Sequence, residues 1–249
     1  MPDASINASD ITAVVLAGGF GTRVKHLLPD IPKPMAEVCG RPFLEWVVWY
    51  LARQGVTRVV LSTGHLAEVI ERHFAQPLVR GLSIRCVKES SPLGTAGGFL
   101  HAARTSGDKP RAWLVLNGDS LVFAELSGAV GDMTEKVTGV LVGCEVPDAS
   151  RYGTLHMDAK RTLIAFEEKR PGSGVINAGI YLLRHEALNE FPDKQPLSFE
   201  TDVFPALAAR RRLLKVHSVR APFLDIGTPE TLGQAEAFIR ENRAQFGVE

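Results

Sequence analysis

Leu16-Ala17-Gly18-Gly19-Phe20-Gly21-Thr22-Arg23, followed by Pro32-Lys33-Pro34-Met35, is the stretch that decides the fold of this chain. It follows directly on Ile11-Thr12-Ala13-Val14-Val15, an apolar and β-branched run that predicts a buried first strand. A strand that ends in glycines exposes bare backbone where an open α/β sheet binds its ligands. Gly18, Gly19 and Gly21 carry no Cβ to hold phosphates and a ribose away from the peptide N–H groups. Arg23 and Lys33 set two cations beside that cradle. The stretch therefore reads as a nucleotide-phosphate site. It is not a P-loop, which requires Gly-Lys-Ser/Thr where this chain has Gly21-Thr22-Arg23. Nor is it a dinucleotide fingerprint, because Val24 follows Arg23 where a third glycine belongs.

The 249 residues suit one large α/β domain or two small ones, and an apolar content of 45% is ample for a sizeable core. A formal net charge of zero gives no reason to expect DNA or RNA as a partner. No run approaches the roughly 18 apolar residues of a membrane span. The polar, acidic first ten residues lack a signal-peptide core, so a cytoplasmic protein with a frayed start is expected. Cys39, Cys86 and Cys144 are odd in number and widely spaced, which predicts reduced thiols.

Outward from the glycine stretch, Phe43, Trp46, Val47, Tyr50 and Leu51 recur at helical spacing, with Pro42 opening the helix and Gly55 closing it. These aromatics read as packing groups. Strands are predicted over 56–61, 82–87 and 112–119, and a helix over 99–104. His65 and His73 lack partners at metal-ligand spacing and read as surface residues. Asp119 ends its strand after Gly118, where a carboxylate either caps the next helix or points into the glycine crevice. Further strands are expected over 137–146, in a hairpin from Tyr152 returning through 163–166, and over 175–181. Ser198 reads as an N-cap, Arg210-Arg211-Arg212 as a solvated helix end, and Thr228-Pro229 as the start of a terminal helix. Alternating strands and helices predict a Rossmann-like, mostly parallel sheet with helices on both faces.

The glycine string with Pro32-Lys33-Pro34-Met35 resembles the signature of the sugar-1-phosphate nucleotidylyltransferases, the nucleoside-diphosphate-sugar pyrophosphorylases. The likeness runs from about Thr12 to about Ala237. It implies a single nucleotidyltransferase domain of the glycosyltransferase-A-like kind over 1–249, with a nucleotide-binding half over about 11–120 and a sugar-phosphate-binding half over about 121–240. The substrates implied are a nucleoside triphosphate and a sugar 1-phosphate, with Mg²⁺ as cofactor; a homo-oligomer is compatible with it. The β-helical or acyltransferase domain that some relatives append is not expected here.

Residue by residue, the resemblance places Leu16, Ala17, Gly18, Gly19, Gly21 and Thr22 on the nucleotide, and Glu89, Gly94 and Thr95 along its base. Guanine presents two adjacent donors that one ionised carboxylate can accept, so Glu89 leans towards guanine. As bare sequence Glu89 is also an exposed acid after a strand. Asp119 and Asp225 match the metal carboxylates, and magnesium takes few protein ligands. Arg23 is expected on the leaving pyrophosphate, and Lys33 and Lys169 on the two reacting phosphates. Glu168 is expected on sugar hydroxyls, with Gly153, Asn177 and Gly179 around the sugar. A glycine inside a strand such as Gly179 fits close approach of a ligand.

The likeness is strongest to short bacterial enzymes that use GTP and D-glycero-α-D-manno-heptose 1-phosphate, in capsule or surface-layer glycan assembly. Mannose-1-phosphate guanylyltransferases and short uridylyltransferases, including those acting on N-acetylmuramate 1-phosphate, are rivals. A nucleotide-sugar sensor on an inactive scaffold is the reading from another class. Retention of Lys33, Asp119 and Asp225 speaks for an enzyme.

Overall fold

The computed structural model describes residues 6–167 and 171–247. After β1 (Ile11–Ala17) the chain crosses the glycine loop and a small ribbon, β2 (Glu37–Val38) and β3 (Arg41–Pro42), into α1 (Phe43–Arg53). β4 (Arg58–Thr63), α2 (Ala67–His73), β5 (Ser83–Lys88), α3 (Thr95–Ser106) and β6 (Ala112–Asn117) follow. The second half holds β7 (Ser120–Val122), α4 (Leu126–Gly131), β8 (Val137–Val146), β9 (Thr154–Met157), β10 (Leu163–Glu167) and β11 (Gly174–Arg184). α5 (Phe204–Ala209), β12 (Leu213–Val219), β13 (Phe223–Asp225) and α6 (Pro229–Glu241) complete the main elements.

β1 lies between β4 and β6 and is parallel to both, with β5 parallel outside β4. Successive strands therefore go to one side of β1 and then to the other, which opens a crevice at the carboxyl ends of β1 and β6. The glycine loop leaves β1 at that point. β11 is antiparallel to β6 and to β8, and β12 returns parallel to β8. The β9–β10 hairpin joins the end of β11 where Thr154 meets Ile176. The sheet is mostly parallel in its first half, and helices cover both faces.

β1 reads as an unbroken apolar run because water reaches neither face. Val14 packs with Trp113, Phe99, Phe199 and Phe204 on one side of the sheet. Ala13 and Val15 pack with Trp46 and Val47 of α1 and Ile239 of α6 on the other. Each large side chain buried in this way contributes about 1.5–3 kcal/mol. Trp46, Trp49 and Tyr50 are all in the core, as packing residues. Trp46 donates its indole N–H to the Val38 carbonyl at 2.9 Å, and Tyr50 donates its hydroxyl to that of Ala124 at 2.7 Å. The one acid of this face, Glu45, is buried and held by Arg41 at 2.6 Å and His73 at 2.9 Å. His73 is a surface residue as expected, and its ring also reaches the core acid.

Three expectations are corrected. α3 begins at Thr95, not Phe99, so Gly97 and Gly98 lie in its first turn. Gly98 can sit there because a Cβ on it would stand 3.3 Å from both the Glu89 carboxylate and the Ser62 hydroxyl. β6 ends at Asn117, one residue before Gly118, whose N–H makes the last ladder bond to the Leu16 carbonyl at 2.9 Å. β11 runs past Tyr181 to Arg184, and its register against β8 shifts between Asn177 and Ile180. Ser198 is an N-cap as expected, accepting from the N–H groups of Glu200 and Thr201, but the turn it opens is π-helical over Phe199–Val203. Thr228 caps α6 with Pro229 at its start. Arg212 pairs with Glu190 beyond the end of α5. The three cysteines are free, and burial pushes the Cys86 thiol up to about 11. Among the described residues, no helix is long and apolar enough to cross a membrane.

Candidate active site

Two cavities meet at the carboxyl ends of β1 and β6. The first, of about 340 Å³, is lined by Leu16, Ala17, Gly18, Gly19 and Gly21 of the glycine loop, by Lys33, and by Glu89, Gly94 and Thr95. Asn117 and Asp119 close its inner end. All the predicted nucleotide residues except Thr22 thus line one space; Thr22 and Arg23 are not part of its wall. Gly18 lets Glu89 come close: a Cβ there would stand 2.6 Å from a Glu89 carboxylate oxygen and displace that side chain. At Gly19 the same position is open. Phe20 is half exposed over the loop, and its ring lies 5.2 Å from that of His65. His65, read from sequence as a surface residue, is partly exposed and packs beside Phe20.

Glu89 follows β5 and faces Gly18, Gly64 and Gly98, with the Leu93 N–H donating to it at 3.4 Å. Burial raises its pKa, and the Leu93 N–H and His101 only partly oppose that shift. Ser62, at the end of β4 and buried, lines the cavity beside it and donates to the Gly98 carbonyl at 3.2 Å. The sequence reading passed over Ser62 because a serine inside a strand carries no pattern of its own.

The second cavity, of about 760 Å³, shares Asn117 with the first. Its wall includes Gly153, Asn177, Ala178, Glu200, Arg151 and Asp225. Phe166 and Phe204 stack in its side with ring centroids 5.4 Å apart and planes within 5°. Tyr152, also in the wall, has its phenol pKa raised by burial and by the charge of Asp225. Gly153 and Asn177, expected around the sugar, both line this cavity. Gly179 adjoins the wall: it has φ of +71°, and the Asn117 amide occupies the space a Cβ would need. Glu168 and Lys169 lie outside the described residues.

Asp119 lines the first cavity and Asp225 the second. The β7–β13 ladder holds them together, pairing Asp225 with Ser120, and the Ile226 N–H donates to the Asp119 carbonyl at 2.9 Å. Burial, and then repulsion from Asp119, raise the pKa of Asp225; the Gly227 N–H, Lys33 and Arg23 pull the other way. Lys33 forms an ion pair with Asp119. A Cβ added to Gly227 would lie 3.1 Å from the Arg23 guanidinium, which places that cation beside Asp225. Among the described residues, no group of three or more His, Cys, Asp and Glu side chains could hold a metal. Two repelling carboxylates with room on either side fit a hard cation that keeps its remaining ligands as water and phosphate.

A family model described as Nucleotidyl transferase matches residues 12–242. This chain belongs to that family. As a nucleotidyl transferase it is 36% identical over 222 residues to D-glycero-alpha-D-manno-heptose 1-phosphate guanylyltransferase of Campylobacter jejuni, covering 88% of this chain and 95% of the relative. It is 33% identical to mannose-1-phosphate guanylyltransferase of Mycobacterium tuberculosis, of which it spans 64%. Among solved structures it is similar to HddC from Yersinia pseudotuberculosis complexed with GMP-PN, at a TM-score of 0.80 and 32% identity. That match covers 91% of this chain and 98% of the other.

Proposed function

We propose that this protein transfers a guanylyl group from GTP to a sugar 1-phosphate, with D-glycero-α-D-manno-heptose 1-phosphate as the favoured acceptor. The observation that carries the reading is the junction of two cavities with one carboxylate in the wall of each, Asp119 and Asp225. The 340 Å³ space suits the nucleotide, with its base against Glu89, Gly94 and Thr95 and its phosphates along Gly18 to Gly21. The larger space suits the sugar, with Gly153, Asn177 and Glu200 offering polar groups and the Phe166–Phe204 stack an apolar side.

A phosphate oxygen of the sugar 1-phosphate attacks the α-phosphorus, a new P–O bond forms, and the bond to pyrophosphate breaks. The nucleophile is already an anion, so no general base is required. The obstacle is bringing anions together, which positioning and charge neutralisation overcome. Lys33 meets the reacting phosphates from the first cavity, and Arg23 stabilises the leaving pyrophosphate. Asp119 and Asp225 would hold Mg²⁺, which when bound supplies further neutralisation of phosphate charge. Lys169 is assigned to the sugar phosphate on the sequence resemblance alone, and Glu168 to sugar hydroxyls.

Names of relatives support guanine and heptose together, and the half-buried Glu89 carboxylate in the cavity wall supports guanine independently. Mannose 1-phosphate is the second acceptor to test, given the guanylyltransferase likeness that spans both kinds of relative. The test is pyrophosphate release from four nucleoside triphosphates paired with heptose, mannose, glucose and N-acetylmuramate 1-phosphates. GTP with the heptose substrate should be the best pair. Release only with UTP or dTTP overturns the base assignment, and nucleotide binding without release with any pair identifies a sensor.

A further inference from the structure

Glu200 stands between the two cavities and touches both sides. It lies in the π-helical turn after Ser198, a segment whose sequence suggested only a structural start to α5. One of its oxygens accepts from the Tyr181 hydroxyl at 2.8 Å, and Tyr181 accepts from the Asn177 amide at 2.8 Å. Asn177 in turn accepts from the Gly179 N–H at 3.1 Å. The other Glu200 oxygen accepts from Ser198 at 2.9 Å and from Thr95, in the wall of the nucleotide cavity, at 3.5 Å. The same segment is tied to that side through its backbone. The Phe199 N–H donates to Thr95 at 3.1 Å, and the Leu197 carbonyl accepts from Ala96 and Gly97 at 3.0 and 3.1 Å.

The direction of this chain is fixed by chemistry. A carboxylate only accepts, so Tyr181 must spend its single proton on Glu200. The phenol oxygen can then only accept from the amide, so the NH₂ of Asn177 must face Tyr181 and its oxygen must face the Gly179 N–H. Tyr181 is fully buried, so no water competes for its hydroxyl. We propose that Glu200 is a positioning residue that fixes, through the Tyr181 hydroxyl, which face of the Asn177 amide the sugar 1-phosphate meets, while its second oxygen ties that setting to Thr95 on the nucleotide side. This rests on the guanylyl-transfer reading for the identity of the ligand, but the direction of the network does not.

Glu200→Gln keeps shape but lets the side chain donate to the Tyr181 oxygen, so the Tyr181 hydroxyl loses its fixed acceptor and only the Gly179 N–H still holds the Asn177 amide in its setting. Tyr181→Phe cuts the chain and leaves Glu200 in place. Each variant should raise the KM for sugar 1-phosphate about tenfold, since one polar partner is then mismatched. The KM for GTP should stay within about twofold in Tyr181→Phe, because that substitution leaves the Thr95 side untouched. The double variant should be no worse than the poorer single one, as expected for residues acting in series. The side-chain ¹⁵N–¹H₂ signal of Asn177, followed in the ligand-free protein, reads the network without turnover. It should move in both variants and lose exchange protection in Tyr181→Phe. Wild-type KM values in Glu200→Gln, additive losses in the double variant, or an unmoved Asn177 signal would overturn the proposal. If the wild type releases no pyrophosphate with any substrate pair, the functional reading fails and the Asn177 signal still decides the network.

Discussion

The Ile226 N–H donates to the Asp119 carbonyl at 2.9 Å, and this bond carries the β7–β13 ladder one step past Asp225. Two acids far apart in the sequence, Asp119 and Asp225, are thereby fixed beside one another. Burial and mutual repulsion raise the pKa of Asp225, so the pair is held against its own electrostatic preference by the backbone around it.

That arrangement trades stability for function. Asp119→Asn and Asp225→Asn should each remove most turnover at saturating substrate. Asp225→Asn should melt no lower than the wild type without divalent cation, because removing a destabilised charge relieves the repulsion. Chelation of divalent cations should abolish pyrophosphate release and Mg²⁺ should restore it. Thermal melts beside initial rates check all of this. A substantially lower Tm for Asp225→Asn would show that the carboxylate serves the fold.

Lys33 and Arg23 meet growing phosphate charge, so Lys33→Ala and Arg23→Ala should lower kcat more than they weaken nucleotide binding. A loss of about a hundredfold or more in kcat is expected for a charge aimed at the transition state. Nucleotide affinity by calorimetry, set against kcat, separates the two effects. Equal losses in both would make these residues simple binding groups.

Glu89 gives a prediction in base and in pH. Its pKa is raised by burial, and pairing with guanine N1–H and N2–H needs the ionised form. As pH falls through that raised pKa, the carboxylate takes up a proton and kcat/KM for GTP should fall. Glu89→Gln should lack this acidic limb, lose about ten- to a hundredfold in kcat/KM for GTP, and hold or gain with UTP. Inosine triphosphate, which lacks the 2-amino group, should be discriminated against by the wild type and less so by the variant. Equal loss with every nucleotide would reduce Glu89 to a support for the loop.

Glu45 tests the core beneath the site. Its side chain is 4% exposed and bridges Arg41 and His73. Glu45→Ala should cost about 1–3 kcal/mol, because a buried side chain is removed and Arg41 and His73, which solvent reaches, lose their partner. Denaturant unfolding measures this directly, and a cost below about 1 kcal/mol would show that solvent reaches the pair freely.

The glycine loop, the strand before it and the helical face of α1 were legible from sequence because each is set by neighbours in the chain. An apolar run ending in Gly18-Gly19 can only be a buried strand with bare backbone at its end. The same holds for the caps at Ser198 and Thr228, where one side chain satisfies N–H groups two or three residues on. That Asp119, Asp225 and Lys33 belong to one site was expected only from the family resemblance; no local pattern in the sequence shows how they approach. Their approach depends on which strands pair, and the β7–β13 register joins segments far apart in the chain. The switch of β11 to an antiparallel course, which brings Asn177 beside Gly153 and Tyr181 under Glu200, is likewise a matter of sheet order. Glu200 shows the limit most directly. In sequence it is an acid in a helix's first turn; only the packed turn, with Tyr181 fully buried beneath it, makes that carboxylate the link between two cavities.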